Sequence, residues 1–97
     1  MPTFKPATSR YSAYQVTADR LEHREEWPFW LRDAMSKPRR TPNAVVQADA
    51  ADDRGHRPLR IFTDEGCINV PVGDWIVRDP GGNLFPVPPE LFKRLFI

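Results

Sequence analysis

The sequence lacks the features that several functional classes need. It has one cysteine, Cys67, which excludes an internal disulfide and a cysteine-based zinc cage. No apolar run approaches the roughly 20 residues of a membrane span, and residues 1–10 do not resemble a signal peptide. Fourteen basic and thirteen acidic residues give a net charge of +1, so electrostatics do not favour a protein dedicated to long nucleic acids. We therefore expect a cytoplasmic protein with no membrane partner.

What the sequence does contain fits one small α+β domain. Its 97 residues are 40% hydrophobic and include eleven aromatic residues, which is enough to bury a thin core. Eleven prolines argue against long helices and continuous central strands. We expect a single domain over residues 1–97, with residues 1–10 as an extended lead-in.

One segment has clear helical periodicity. Its apolar residues recur at the spacing of a single helical stripe. They are Trp27, Trp30, Leu31, Ala34 and Met35. Pro28 suits a first turn, and Pro38 follows the end of the pattern. The spacing predicts a short amphipathic helix over residues 28–36, and it leaves open whether the tryptophans face the core or solvent.

The remaining segments mostly predict short strands. Alternating or β-branched content marks residues 11–17, 43–48, 59–63, 67–70, 75–78 and 84–87. The strongest turn signal is Asp79-Pro-Gly-Gly-Asn83, and Pro86 indicates an edge strand. Residues 90–93 predict a C-terminal helical turn, and residues 95–97 a last strand. The expected fold is a small antiparallel β-meander or partly closed sheet, packed by the one short amphipathic helix.

The C-terminal third carries a recognisable motif. It consists of Gly73-Asp-Trp-Ile-Val-Arg78, Gly82, Phe85-Pro86, Pro89-Glu-Leu-Phe92 and Phe96. The segment from Pro71 to Phe96 resembles a family of small phage and prophage proteins whose members carry a PGDWIVRG-x-x-GEFYPCKPDIFEKTYE-like pattern.

The resemblance implies a phage-encoded accessory protein without an assigned biochemical role, and it brings no catalytic residues. This sequence has Val87 at the family's usual cysteine position and Pro88 at its usual lysine position. Thiol chemistry at that position therefore does not apply to this chain.

Two groups of residues are candidates for binding. A basic cluster lies close to two tryptophans, and cations with aromatic rings can hold phosphates and stack bases. Its members are Trp27, Trp30, Arg32, Lys37, Arg39 and Arg40. The second group is a candidate protein interface, although the same side chains could instead close the sheet. Its members are Leu91, Phe92, Leu95, Phe96 and Ile97.

The residue patterns that would indicate metal binding or catalysis are weaker. Asp49, Asp52, Asp53 and His56 form an oxygen-rich loop, and His23 lies three residues before Glu26, but neither spacing is a known ligand set. His56 with a neighbouring aspartate lacks a nucleophile motif. We expect no metal, no cofactor and no enzymatic activity.

Three functions remain open. The leading hypothesis is a non-enzymatic accessory protein that binds a host protein in the host cytoplasm and inhibits or regulates a host system, such as a defence system. The second is a homo-oligomeric binder of a small anionic ligand such as a nucleotide, with the ligand held between subunits. The third is a minor virion or assembly component.

Overall fold

The computed structural model describes residues 11–96, in which six strands form two antiparallel sheets of three strands each. The helices are α1 (Ala18–Leu21), α2 (Phe29–Ser36) and α3 (Pro89–Phe96), with a 3-10 turn at Arg24–Glu26. The strands are β1 (Ser12–Gln15), β2 (Val45–Gln47), β3 (Leu59–Thr63), β4 (Gly66–Val70), β5 (Trp75–Arg78) and β6 (Leu84–Val87). The predicted α+β class is confirmed, while the expected lead-in over residues 1–10 lies outside the described residues.

The two sheets differ in how their strands follow one another. Sheet II has the order β2-β3-β4, which is a meander in which a loop over residues 48–58 joins β2 to β3 and a tight turn joins β3 to β4. Sheet I has the order β1-β5-β6, so β1 pairs with a strand about sixty residues further along the chain. Ile76 lies opposite Tyr14 on one side and Pro86 on the other. Pro86 therefore occupies an edge strand, as predicted, where its missing N–H breaks no central ladder.

Helix α2 packs its whole apolar stripe against the main core. Leu31, Ala34 and Trp27 are buried, and Trp30 and Met35 pack against the same cluster. The helix starts at Phe29 because the Pro28 carbonyl accepts the N–H groups of Leu31 and Arg32. The open question of the tryptophan stripe is thus answered, since it faces the core.

Strand β5 is buried on both of its faces. Ile76 joins the main core, which also contains residues of α2 and of sheet II. Val77 points to the opposite face and joins a second cluster with Val87 and Phe92. Because side chains alternate along a strand, Trp75 lies on the same face as Val77. Sheet I is therefore a middle layer, with α2 and sheet II on one side and α3 on the other.

The C-terminal helix is longer than the sequence predicts. The single turn expected at 90–93 continues to Phe96, so the strand prediction for residues 95 and 96 is wrong, and Ile97 lies outside the described residues. The reason is aromatic packing. The Phe92 ring stacks on Trp75 with centroids 3.8 Å apart, and Phe96 lies 5.0 Å from Phe92 and 5.6 Å from Tyr11. A helix brings residues four apart to within one turn of each other on one face, whereas in an extended segment the same two residues would be roughly 13 Å apart, too far for their rings to touch.

None of the helices in this part of the chain has the length and apolar character that crossing a membrane requires.

Replacing Phe92 with alanine should destabilise the protein by about 3 kcal/mol, because it removes the ring that joins α3 to sheet I. The matched control is Leu91→Ala, one residue away on the same helix but 43% exposed, which should change stability by less than about 1 kcal/mol. Urea unfolding of the three proteins measures both values. Equal losses in the two variants would contradict the proposed anchoring of α3.

Candidate binding groove and docking ridge

The structure divides the predicted basic and aromatic set. Trp27 is only 3% exposed, and its indole Nε1–H donates to the Arg20 carbonyl at 2.7 Å. A ring held in the core by packing and by this hydrogen bond has no free face for a ligand. Trp27 therefore leaves the candidate set and belongs to the core.

Trp30 and Lys37 remain together at an open groove of about 500 Å³ between α2 and the turn after β5. We call this cavity the α2 groove. Helix α2 and the residue after it supply one wall, with Phe29, Trp30, Asp33, Ala34 and Lys37. The other side consists of Asn43, Arg78, Gly81, Gly82 and Leu84. The groove thus combines two aromatic rings with two cations and a glycine turn.

Charges in the α2 groove favour an anion. Among residues 11–96, no carboxylate lies within 4.0 Å of the Lys37 ammonium or the Arg78 guanidinium. Among the described residues, the lining contains one acidic side chain, Asp33, against these two cations. Cations on two walls of one cavity attract phosphate or carboxylate groups.

The other predicted cations lie elsewhere. Arg32, Arg39 and Arg40 are exposed, and none of them lines the α2 groove. The Arg39 guanidinium lies 5.9 Å from the centre of the Phe62 ring, which gives it a packing partner on sheet II. The basic cluster seen in the sequence is therefore not one site.

Arg78 is one of the groove residues that the sequence analysis missed. It lies at the end of β5, on the same strand face as Ile76. That alternation could have assigned Arg78 to the α2 side of sheet I. The sequence does not say that the end of α2 lies near this position, so only the folded chain shows that Arg78 and Lys37 line the same groove.

A hydrogen-bonded turn forms the glycine side of the groove. The Asp79 carboxylate accepts the backbone N–H of Asn83 at 2.8 Å, and the backbone N–H of Asp79 donates to the Asn83 carbonyl at 3.0 Å. Gly82 has a φ of 91°, which side chains rarely tolerate. These bonds hold the turn in one shape beside Arg78.

Hydrogen bonds of the Asn43 side chain link this turn to the segment before β2. Its side-chain Oδ1 accepts the backbone N–H of Leu84 at 3.0 Å, and its Nδ2 donates to Asn83 Oδ1 at 3.2 Å. Its φ of 70° is left-handed, a conformation that asparagine adopts more readily than most residues. Asn43 was not singled out from the sequence, although an asparagine after Pro42 is a turn signal.

The residues predicted for a C-terminal protein interface fall partly in the core and partly on the surface. Phe92 is buried and Phe96 is partly buried in the second cluster, so these two rings close the sheet. Leu91 and Leu95 are 43% and 55% exposed and lie one helical turn apart. We call this pair the α3 ridge. Ile97 lies outside the described residues.

The acidic and histidine clusters have structural explanations. Asp52 Oδ1 accepts the backbone N–H groups of Arg54 and His56, each at 2.9 Å, and the bond from His56 lowers the pKa of the Asp52 carboxyl. Asp52 therefore contacts His56 through the main chain and closes a turn. His23 Nε2 lies 3.7 Å from Asp19 and its Nδ1 lies 3.5 Å from Glu25, and the ligand atoms of His23, Glu25 and Glu26 lie within 4.8 Å of one another at the surface.

Two aspartates at the ends of β5 should respond to pH in opposite directions. Partial burial raises the pKa of the Asp74 carboxyl, whereas the Asn83 N–H lowers the pKa of Asp79. The Asp79 carboxylate stabilises the fold above its ordinary pKa of 3.8, and this contribution is lost as the pH falls through the lower folded-state pKa. For Asp74, the protonated form is favoured by folding, and that contribution is lost as the pH rises through the raised pKa.

Urea unfolding of Asp79→Asn and Asp74→Asn at about pH 7 and about pH 3 tests this contrast. The stability advantage of the original protein over Asp79→Asn should shrink at low pH. Its stability relative to Asp74→Asn should rise at low pH. A parallel response of the two variants would contradict the assigned environments.

Replacing Asn43 with alanine should destabilise the protein by about 2 kcal/mol, because the side-chain bonds and the preference for positive φ are lost together. Asn43→Gly keeps the backbone freedom and should lose about half as much. Thermal unfolding separates the two contributions. Equal losses would show that positive φ at this position contributes nothing.

Comparison of this chain with protein-family models, with curated proteins and with solved structures finds no match. The resemblance to the phage family therefore depends on the residues of the Pro71–Phe96 segment. The geometry of the α2 groove and the α3 ridge is the basis for assigning a function.

Proposed function

We propose that this chain is a non-enzymatic accessory protein of phage origin that binds a host protein through the α3 ridge. In the host cytoplasm, this binding would inhibit or regulate the system to which that protein belongs, such as a defence system. The observation that carries the proposal is the exposure of Leu91 and Leu95 on a helix that is fixed from its other side.

The anchoring of α3 makes the ridge a rigid surface. Phe92 stacks on Trp75 with parallel rings, and Phe96 packs behind it. Leu91 and Leu95 therefore have fixed positions before any partner arrives, which lowers the entropy that binding must remove. Apolar residues at a spacing of four are the anchors with which a helix enters an apolar groove of another protein.

Charges around the ridge indicate the kind of partner surface. Lys93 and Arg94 are exposed in the last turn of α3, and Glu90 is exposed in the first. The helix therefore presents one net positive charge beside two leucines. A matching host surface has an apolar pocket with carboxylates at its rim, because such charges steer association and exclude wrong partners.

The motif and the contacts of the described residues support a role in binding. The Pro71–Phe96 segment that resembles the phage family forms β5, β6 and α3, which together build and hold the ridge. Among residues 11–96, neither histidine side chain makes a hydrogen bond to a hydroxyl or to the Cys67 thiol, the contacts that would activate a nucleophile.

Capture of host proteins by the tagged chain tests the proposal. The double variant Leu91→Glu/Leu95→Glu should reduce a stoichiometric host partner by at least about tenfold, because charges replace two apolar anchors. Ile68→Glu is the matched control, since Ile68 is 41% exposed but lies on β4. This control should retain the partner.

Circular dichroism melting of each variant shows whether it is folded, so a loss of capture is not confused with unfolding. Retention of the same partner by the folded double variant would refute the α3 ridge as the interface. The absence of any stoichiometric host partner, together with recovery of the chain in purified phage particles, would favour a virion component instead.

A further inference from the structure

The α2 groove has the volume of a small-molecule site, and the docking of a protein on the α3 ridge does not use it. Its volume of about 500 Å³ lies within the range of small-molecule pockets. Its walls belong to α2, to the end of β5 and to the following turn, all of which are fixed by packing or hydrogen bonds. The groove therefore exists before a ligand enters.

Lys37 and Arg78, which have no carboxylate partner among residues 11–96, define one part of the ligand. Lys37 extends from the end of α2 and Arg78 from the end of β5, so the charges come from both sides of the groove. An arginine guanidinium binds two oxygens of a phosphate in a planar fork, and a lysine ammonium adds a point charge. This combination recognises a compact, multiply charged anion better than a neutral group.

Two aromatic rings define the other part of the ligand. Phe29 is 76% exposed at the first position of α2, although a large apolar ring usually packs inside. Trp30 is half-buried, packs on the core and also lines the groove. A planar base placed against these rings would cover the exposed Phe29, and such stacking contributes about 1–3 kcal/mol per base.

We propose that the α2 groove binds a nucleoside phosphate, with the phosphate on Lys37 and Arg78 and the base against Phe29 and Trp30. The site lies within one chain, so it needs no second subunit to be complete. Trp27 and the exposed arginines of the basic cluster take no part in it, because Trp27 is buried and the arginines lie outside the groove.

A titration of the full chain followed by amide and indole NMR signals tests the site, with adenosine monophosphate (AMP) as the probe. AMP should shift the signals of Gly81, Gly82 and the Trp30 indole in a saturable way at micromolar to millimolar concentration. Adenosine has the base but no phosphate, and ribose 5-phosphate has the phosphate but no base. Each should bind at least about tenfold more weakly than AMP.

Variants then separate the groove from general charge effects. Lys37→Gln and Arg78→Gln should each weaken AMP binding by roughly tenfold, because each removes one charge-assisted contact. Phe29→Ala should weaken AMP but leave ribose 5-phosphate unchanged. Arg32→Gln is the control, since it removes the same charge from an exposed position of α2 outside the groove.

Three results would overturn the proposal. They are the absence of saturable shifts at millimolar AMP, equal binding of inorganic phosphate and AMP, and equal weakening by Arg32→Gln and Lys37→Gln. The α3 ridge variants do not touch the groove, so failure here leaves the proposed protein partner untouched, and the reverse also holds.

Discussion

The burial of β5 on both faces is the constraint on which the other parts of this structure depend. Ile76 and Val77 are adjacent in the chain and are both fully buried, one in each apolar cluster. A strand covered on both sides requires a layer of structure above it and another below it. Sheet II and α2 form one of these layers, and α3 forms the other.

The same constraint places both candidate binding surfaces. On one side, the face of β5 that carries Ile76 directs Arg78 toward the end of α2, where Lys37 lies. On the other side, Trp75 receives Phe92 and turns Leu91 and Leu95 outward. The α2 groove and the α3 ridge are therefore products of one strand with two faces, and they lie on separate layers. A protein partner and a small ligand could occupy them independently.

Local patterns in the sequence predicted much of the fold. The alternation of residues 59–63, 75–78 and 84–87 gave strands at those positions, because each strand face is read from neighbouring residues. The apolar stripe from Trp27 to Met35 gave α2 for the same reason. The C-terminal segment is the exception, because Leu95 and Phe96 have the composition of strand residues and their sequence does not show that Phe96 packs against Phe92.

The binding residues show where sequence reasoning ends. Trp30 and Lys37 were found because they lie near each other in the chain, and Trp27 was included by the same logic. Burial excludes Trp27 from this set, because its ring lies in the core and its indole N–H donates to the Arg20 carbonyl. Arg78 lies 41 residues from Lys37 in the chain, so no local pattern could join the two. Asn43 lies near Lys37 in the chain, but its role in the groove depends on its bonds to Asn83 and Leu84, which are 40 and 41 residues further on.

The amino-acid sequence set the class of the fold, the positions of most elements and the apolar stripe that α2 buries. Those properties depend on the order of apolar and polar residues over a few positions. The tertiary structure decided that β1 pairs with β5, that α3 continues to Phe96, and that Lys37 and Arg78 line the same groove. Those outcomes depend on which distant apolar faces fill the same volume, and that competition is resolved only when the whole chain packs.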